Sequence, residues 1–96
     1  MMTPMAVEWM RTRDVFPALD GLAHDYTALD GEAVVGRVYR IEGGPGQGLW
    51  FWSMTAHRPG PRPPIPTDGR EARRGDAGRR VVEAYERLLA RGITGP

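Results

Sequence analysis

Residues 34–57 hold two alternating apolar segments separated by Gly43-Gly44-Pro45-Gly46-Gln47-Gly48, and this arrangement constrains the fold more than any other feature. Two strand-like runs around a glycine-rich connector read as an antiparallel hairpin. The second arm carries Trp50-Phe51-Trp52, three of the eight aromatic residues in the chain. Such an arm is either buried by another element or used to bind something. It locates the core and names no reaction.

The flanks extend the pattern. Residues 26–29 read as a short edge strand, and Asp30-Gly31 as a tight turn into a strand over residues 33–42. The aromatic strand then covers residues 49–57. Prolines at 59, 61, 63, 64 and 66 lack backbone donors, so residues 58–66 are expected to form an extended polyproline-II connector. In residues 81–91, Val81, Val82, Tyr85, Leu88 and Leu89 form one apolar stripe at helical spacing. Glu83 precedes Arg87 by four, Arg87 and Arg91 suit the negative end of the dipole, and Gly92 reads as a stop. Asp76 is the best capping residue, but Gly78 then sits in the first turn at a cost of about 1 kcal/mol relative to Ala, which predicts fraying there.

The expected fold class is therefore α+β: a three-stranded antiparallel meander packed on one C-terminal α-helix. The domain covers residues 25–92, with a tail over 93–96. Residues 1–24 show no sustained period. Their Val7, Trp9, Val15, Phe16, Leu19 and Leu22, broken by Pro17 and Gly21, suggest a docking or partly disordered segment.

Composition narrows the function classes. Ninety-six residues make one domain. Val, Leu, Ile and Phe supply 18 of them, close to the ~20% level below which chains tend to disorder, but a net charge of +1 and three Trp favour folding. All 13 basic residues are Arg, a bias of genomic kind that weakens arguments from Arg abundance. Cysteine is absent, which excludes thiolate chemistry and fits a reducing compartment. No apolar run approaches the ~18 residues of a membrane span, and no secretory-type apolar core is seen, so a cytoplasmic protein without membrane contact is expected. Residues 1–48 hold four Arg against seven acids, and residues 49–96 nine Arg against five. Such a polarity could steer an anionic partner or favour head-to-tail self-contact, but solvated surface on both halves is the better reading given the compositional bias.

Alternate residues of a strand share a face. Trp50, Trp52, Met54, Val34 and Val38 are assigned to the side under the helix, with Gly36 making room for an indole ring. Arg37, Tyr39, Phe51, Ser53 and Thr55 then lie on an open face. A one-residue register change would exchange the two sets.

The order Val35-Gly36-Arg37-Val38-Tyr39-Arg40, glycine loop, Trp50-Phe51-Trp52-Ser53, then Gly69 to Ala77 leading into a helix with Tyr85, resembles a group of small uncharacterised single-domain proteins of α-proteobacteria. Those show strands, a W-x-W-S motif and a G-x-A-x-T-x-E-E-A helix entry. The resemblance implies a fold and almost no function. Arg73 replaces the Thr of that entry and Gly75-Asp76 the Glu pair; only Ala77 fits. The β-β-β-α order is also similar to HicB-like antitoxin and double-stranded-RNA-binding folds, as analogy alone.

The candidate sites follow. The open face with Arg37, Tyr39, Phe51, Ser53 and Thr55 is expected to bind another protein or a second copy of the chain. The same face could instead stack nucleic-acid bases, assisted by Arg70, Arg73, Arg74, Arg79 and Arg80 at the helix entry. The glycine connector reads as a turn, since no helix follows it. Pro61-Arg62-Pro63-Pro64-Ile65-Pro66 fits a P-x-x-P ligand but reads better as a spacer. His24 with Asp25 and His57 lacks metal-ligand spacing, and Ser53 is the only Ser. Neither metal, cofactor nor enzyme activity is expected. The function reading is a non-catalytic protein-binding module (accessory subunit, inhibitor or adaptor), with a nucleic-acid-binding, antitoxin-like regulator as the alternative.

Overall fold

In the computed structural model the described residues are 7–17, 23–57 and 65–94, with side chains described as far as Ala90. Five strands, β1 (Val7–Arg11), β2 (Asp25–Asp30), β3 (Ala33–Arg40), β4 (Trp50–Met54) and β5 (Asp68–Glu71), form one antiparallel sheet in the order β1-β2-β3-β4-β5. A one-turn helix α1 (Thr12–Val15) follows β1, and the long helix α2 (Arg74–Thr94) ends the chain. The fold is α+β with an antiparallel sheet and a C-terminal helix. The three-stranded meander is corrected to five strands.

Both added strands escape propensity rules for physical reasons. β1 lies at an edge with four of its five residues exposed, so burial has imposed no apolar alternation on it. β5 reads Asp-Gly-Arg-Glu and contains no strand-forming side chain. It exists because its backbone completes the hydrogen bonding of β4 and because Gly69 leaves space for a ring. A Cβ at Gly69 would lie 2.9 Å from the Trp52 indole nitrogen, so this glycine is the one that seats an indole.

The turns fit their loops. Gly31, at φ 64°, occupies the first of two positions between β2 and β3, where a II′ loop requires glycine. The connector between β3 and β4 is closed by Ile41 and Leu49, with Ile41 N–H donating to Leu49 O at 2.8 Å and Gly48 N–H to Ile41 O at 2.9 Å. The polyproline expectation for residues 58–64, including most of the P-x-x-P stretch, lies outside the described residues.

Helix α2 lays Ala77, Val81, Ala84, Tyr85 and Leu88 onto Ala28, Val35, Val38, Trp52 and Met54. Trp50 packs at the margin of this core. The assignment of Val34 to the covered side is overturned. Ala28 pairs with Gly36 but Leu29 pairs with Val34, so Val35 is an extra residue in β3. This bulge reverses the alternation. Val35 turns inward at 2% exposure and Val34 outward at 40%. The expectation that Gly36 accommodates an indole is also corrected. A Cβ there would lie 2.3 Å from Val81 Cγ1 and 2.8 Å from Ser53 O, so Gly36 admits the helix itself.

The helix differs from its sequence reading at both ends. It begins at Arg74, ahead of the expected fraying, and continues through Gly92 to Thr94. Gly92 therefore does not stop it; glycine inside a helix costs about 1 kcal/mol relative to Ala and is tolerated. Among the described residues, no helix is long and apolar enough to cross a membrane.

Replacing Gly36 by Ala is expected to destabilise the protein by about 1–3 kcal/mol through overpacking. Adding Val81→Ala should recover part of that loss, because the valine methyl is the movable half of the clash and Ser53 O is not. Urea denaturation of the two single variants and the double variant measures this; strictly additive losses would contradict the proposed contact.

Candidate functional site

The strand pairing places Arg37 opposite Ser53 and Tyr39 opposite Phe51 on the face away from α2. The Tyr39 and Phe51 rings are 5.1 Å apart between centroids, and the Arg37 guanidinium carbon lies 4.8 Å from the Tyr39 centroid. Arg70 on β5 faces Phe51 across the next strand pair. Thr55 is exposed just beyond the end of β4. Arg37, Tyr39, Phe51 and Ser53 thus share one face, all four half-buried, and Thr55 follows at its end.

A polar cluster holds this strip in place. Arg37 Nε donates to Asp25 Oδ1 at 2.8 Å, and Nη2 donates to Asp25 Oδ2. Thr12 Oγ1 donates to Asp25 Oδ1 at 2.6 Å and lies 2.9 Å from Thr27 Oγ1. Since Thr12 has one hydroxyl proton and gives it to the carboxylate, Thr27 must donate to Thr12. Asp25, Thr12 and Thr27 are all at most 3% exposed, while the Arg37 side chain is 43% exposed. The Asp25 hydrogen bonds raise the pKa of Arg37, outweighing the lowering effect of its partial burial. A group with a raised folded-state pKa loses its contribution only as pH rises through that value, here far above neutrality. Arg37 therefore remains a fixed cation across the physiological range.

Nothing in the sequence pattern linked Thr12 to Asp25. The buried carboxylate required a donor, and α1 supplies it by lying against β1 and β2. The Asp25–Thr27 end of this face is thereby covered by α1, and among the described residues the strip over β3, β4 and β5 has no helix on it.

The five-arginine cluster does not assemble. Arg70 is on the strip face. Arg74 is on the other side of the sheet, its guanidinium 4.9 Å from the Tyr26 centroid and its Nη1 donating to Tyr26 Oη at 2.9 Å. Arg79 pairs with Asp76, and Arg80 with Glu71 at 3.1 Å. Arg73 is exposed at the helix entry. Adjacent positions on a helix point in different directions, which scatters the charges. His24 also goes elsewhere, edge-on to Trp50 at 6.3 Å. Among the described residues, no three His, Cys, Asp or Glu side chains come together as a metal site.

The sequence reading missed a second feature. α2 packs most extensively on β3, β4 and β5 and reaches β2 and β1 less fully, at Ala28, Asp30 and Trp9. There a cleft of about 640 Å³ opens between β1 and the first turns of α2. Trp9 and Tyr26 wall it, Val38 forms part of its floor, and Arg11, Arg74 and Arg79 line it. Trp9, read only as part of a docking segment, was the available signal.

Removing the guanidinium with Arg37→Ala leaves Asp25 buried with one donor, and a loss of about 1–3 kcal/mol is expected after allowing for the partial exposure of Arg37. Arg37→Lys should fall between the two, since a point charge cannot reproduce the two-pronged contact. Thermal and urea unfolding would rank the three proteins; a lysine variant no better than alanine would show that the charge at this position does nothing for Asp25. No family model, no curated protein and no solved structure matches the chain.

Proposed function

We propose that this protein is a non-catalytic protein-binding module whose contact surface is the strip of Arg37, Tyr39, Phe51, Ser53 and Thr55, extended by Arg70. The observation that carries this reading is the arrangement of Arg37, Tyr39 and Phe51: two aromatic rings and a guanidinium in contact on an open sheet face, with the guanidinium tied to a buried carboxylate. Arginine and tyrosine are the side chains that most often dominate binding energy at protein interfaces. Because these are already ordered by their neighbours, association sacrifices little side-chain freedom. Val34 and Met10, both exposed, add apolar area to the same side of the sheet.

A second reading is favoured by one observation, the register of Arg70 against Phe51. A guanidinium beside an aromatic ring on a sheet face can stack an unpaired base and meet its phosphate. This reading predicts affinity for single-stranded RNA or DNA that falls steeply with salt. The scatter of Arg73, Arg74, Arg79 and Arg80 away from that face supports the protein-binding reading instead.

Affinity capture with the wild-type chain beside Tyr39→Ala and Phe51→Ala separates the readings. A stoichiometric protein retained by wild type and weakened about tenfold or more by either variant supports the module. Equal retention by all three proteins removes the strip from consideration. Saturable, salt-sensitive binding of oligonucleotides lost in Arg70→Gln would replace the first reading with the second.

A further inference from the structure

We propose that the cleft between β1 and α2, on the opposite side of the sheet from the strip, binds a small planar organic anion. Its ring lies against Trp9 and Tyr26, and its carboxylate or phosphate is met by Arg11 and Arg74, with Arg79 beside them. Four observations converge on this ligand class.

The first is size. A cleft of about 640 Å³ falls within the range of small-molecule sites, roughly 300–1,000 Å³. The second is charge: three arginines and no acidic residue line it. Among the described residues neither Arg11 nor Arg74 has an acidic partner, and Arg74 instead lies on the Tyr26 ring and donates to its hydroxyl. Both arginines are solvent-exposed and flank one apolar wall, so an anion seated there meets two guanidiniums of the same sign. The third is the wall itself. Trp9 stays 37% exposed on an edge strand, with its ring against the backbone of α2 at Gly78.

The fourth is the helix. Gly75 and Gly78 both line the cleft, within the first two turns of α2. A Cβ at Gly78 would meet the Trp9 ring at 3.4 Å, an ordinary contact, so packing does not demand a glycine there. Nor does packing demand Gly75, where a Cβ would meet nothing within 4 Å. A helix gives up about 1 kcal/mol for each glycine in place of Ala. Both glycines leave their part of the cleft wall free of side-chain atoms. An aromatic ring with a single anionic group matches these surfaces; a cation is repelled by Arg11 and Arg74, which unlike Arg79 have no acidic partner among the described residues, and a neutral ring leaves them unused.

The inference does not depend on the protein-binding strip. The test uses the full chain and follows the Trp9 indole N–H and the Gly75 and Gly78 amides by NMR during titration with 2-naphthoate, 1-naphthyl phosphate and neutral 2-naphthylmethanol. Saturable shifts at all three reporters with one or both anions are expected, and about tenfold or more weaker binding of the alcohol. Arg74→Gln and Arg11→Gln should each weaken the anion by about fivefold to tenfold. Arg87→Gln, exposed elsewhere on α2, controls for net charge and should change nothing. Gly75→Leu places a side chain in the open volume, favours the helix and should abolish binding. The naphthoate and naphthyl phosphate arms distinguish a carboxylate from a phosphate ligand. Absence of saturable shifts with both anions up to about 10 mM, a range already weaker than most specific small-molecule binding, overturns the proposal. So does equal affinity for the alcohol, or undiminished binding by Gly75→Leu.

Discussion

Val81 resting on Gly36 is the contact on which the rest of this structure depends. A Cβ at position 36 would stand 2.3 Å from a Val81 methyl, so the helix reaches the sheet only because that position has no side chain. The two residues lie near the middle of their elements, and the seating fixes both the height and the position of α2. Once Val81 is placed, Ala77 and Ala84 lie one turn to either side, small enough to keep the helix close to the sheet, and Leu88 covers the far end. Tyr85 donates to Asp30 at 2.7 Å, anchoring the helix to the end of β2. Trp52 depends on the same close approach, since it fills the volume between α2 and β5 that Gly69 leaves free. Helix position therefore determines which strands are covered, and so where the cleft opens.

The parts of the fold legible in the sequence are those under strong local constraint. The Asp30-Gly31 turn and the glycine connector announce themselves, because few residues adopt the backbone angles found at Gly31, Gly44 and Gly48. The stripe from Val81 to Leu89 identifies α2, and period-two alternation groups Arg37 with Tyr39 and Phe51 with Ser53. Where tertiary structure decides, sequence reasoning fails. Asp-Gly-Arg-Glu becomes a strand because β4 needs a neighbour and Trp52 needs a gap. The bulge at Val35 exchanges the faces of two adjacent valines, and neither valine carries any mark of it. Gly36 and Gly69 both stand at close approaches, but nothing local distinguishes the one that meets a helix from the one that meets a ring.

The candidate surfaces show the same division. The strip was accessible from alternation alone, whereas the buried polar group beneath it required Thr12 to arrive from a segment 13 residues away in sequence. Burying Asp25 is costly, and the three donors that surround it turn that cost into geometric definition of Arg37. The cleft was invisible for a different reason. Its walls come from β1, β2 and α2, elements separated by more than 60 residues at their extremes, and one of those strands was not foreseen. Placing the two surfaces on opposite sides of one sheet lets each be occupied without blocking the other.

Among the described residues the outer rims of β1 and β5 have no strand partner, and their composition has a consequence for behaviour at high concentration. Free strand edges template the addition of further strands, which leads to fibrous aggregates. Along the outer rim of β5, Asp68, Arg70 and Glu71 alternate in sign around a glycine, and β1 carries Glu8 and Arg11. A strand from another molecule docking on either rim would have to desolvate those charges along its whole length. Both borders of the sheet thus resist the addition of strands from other molecules.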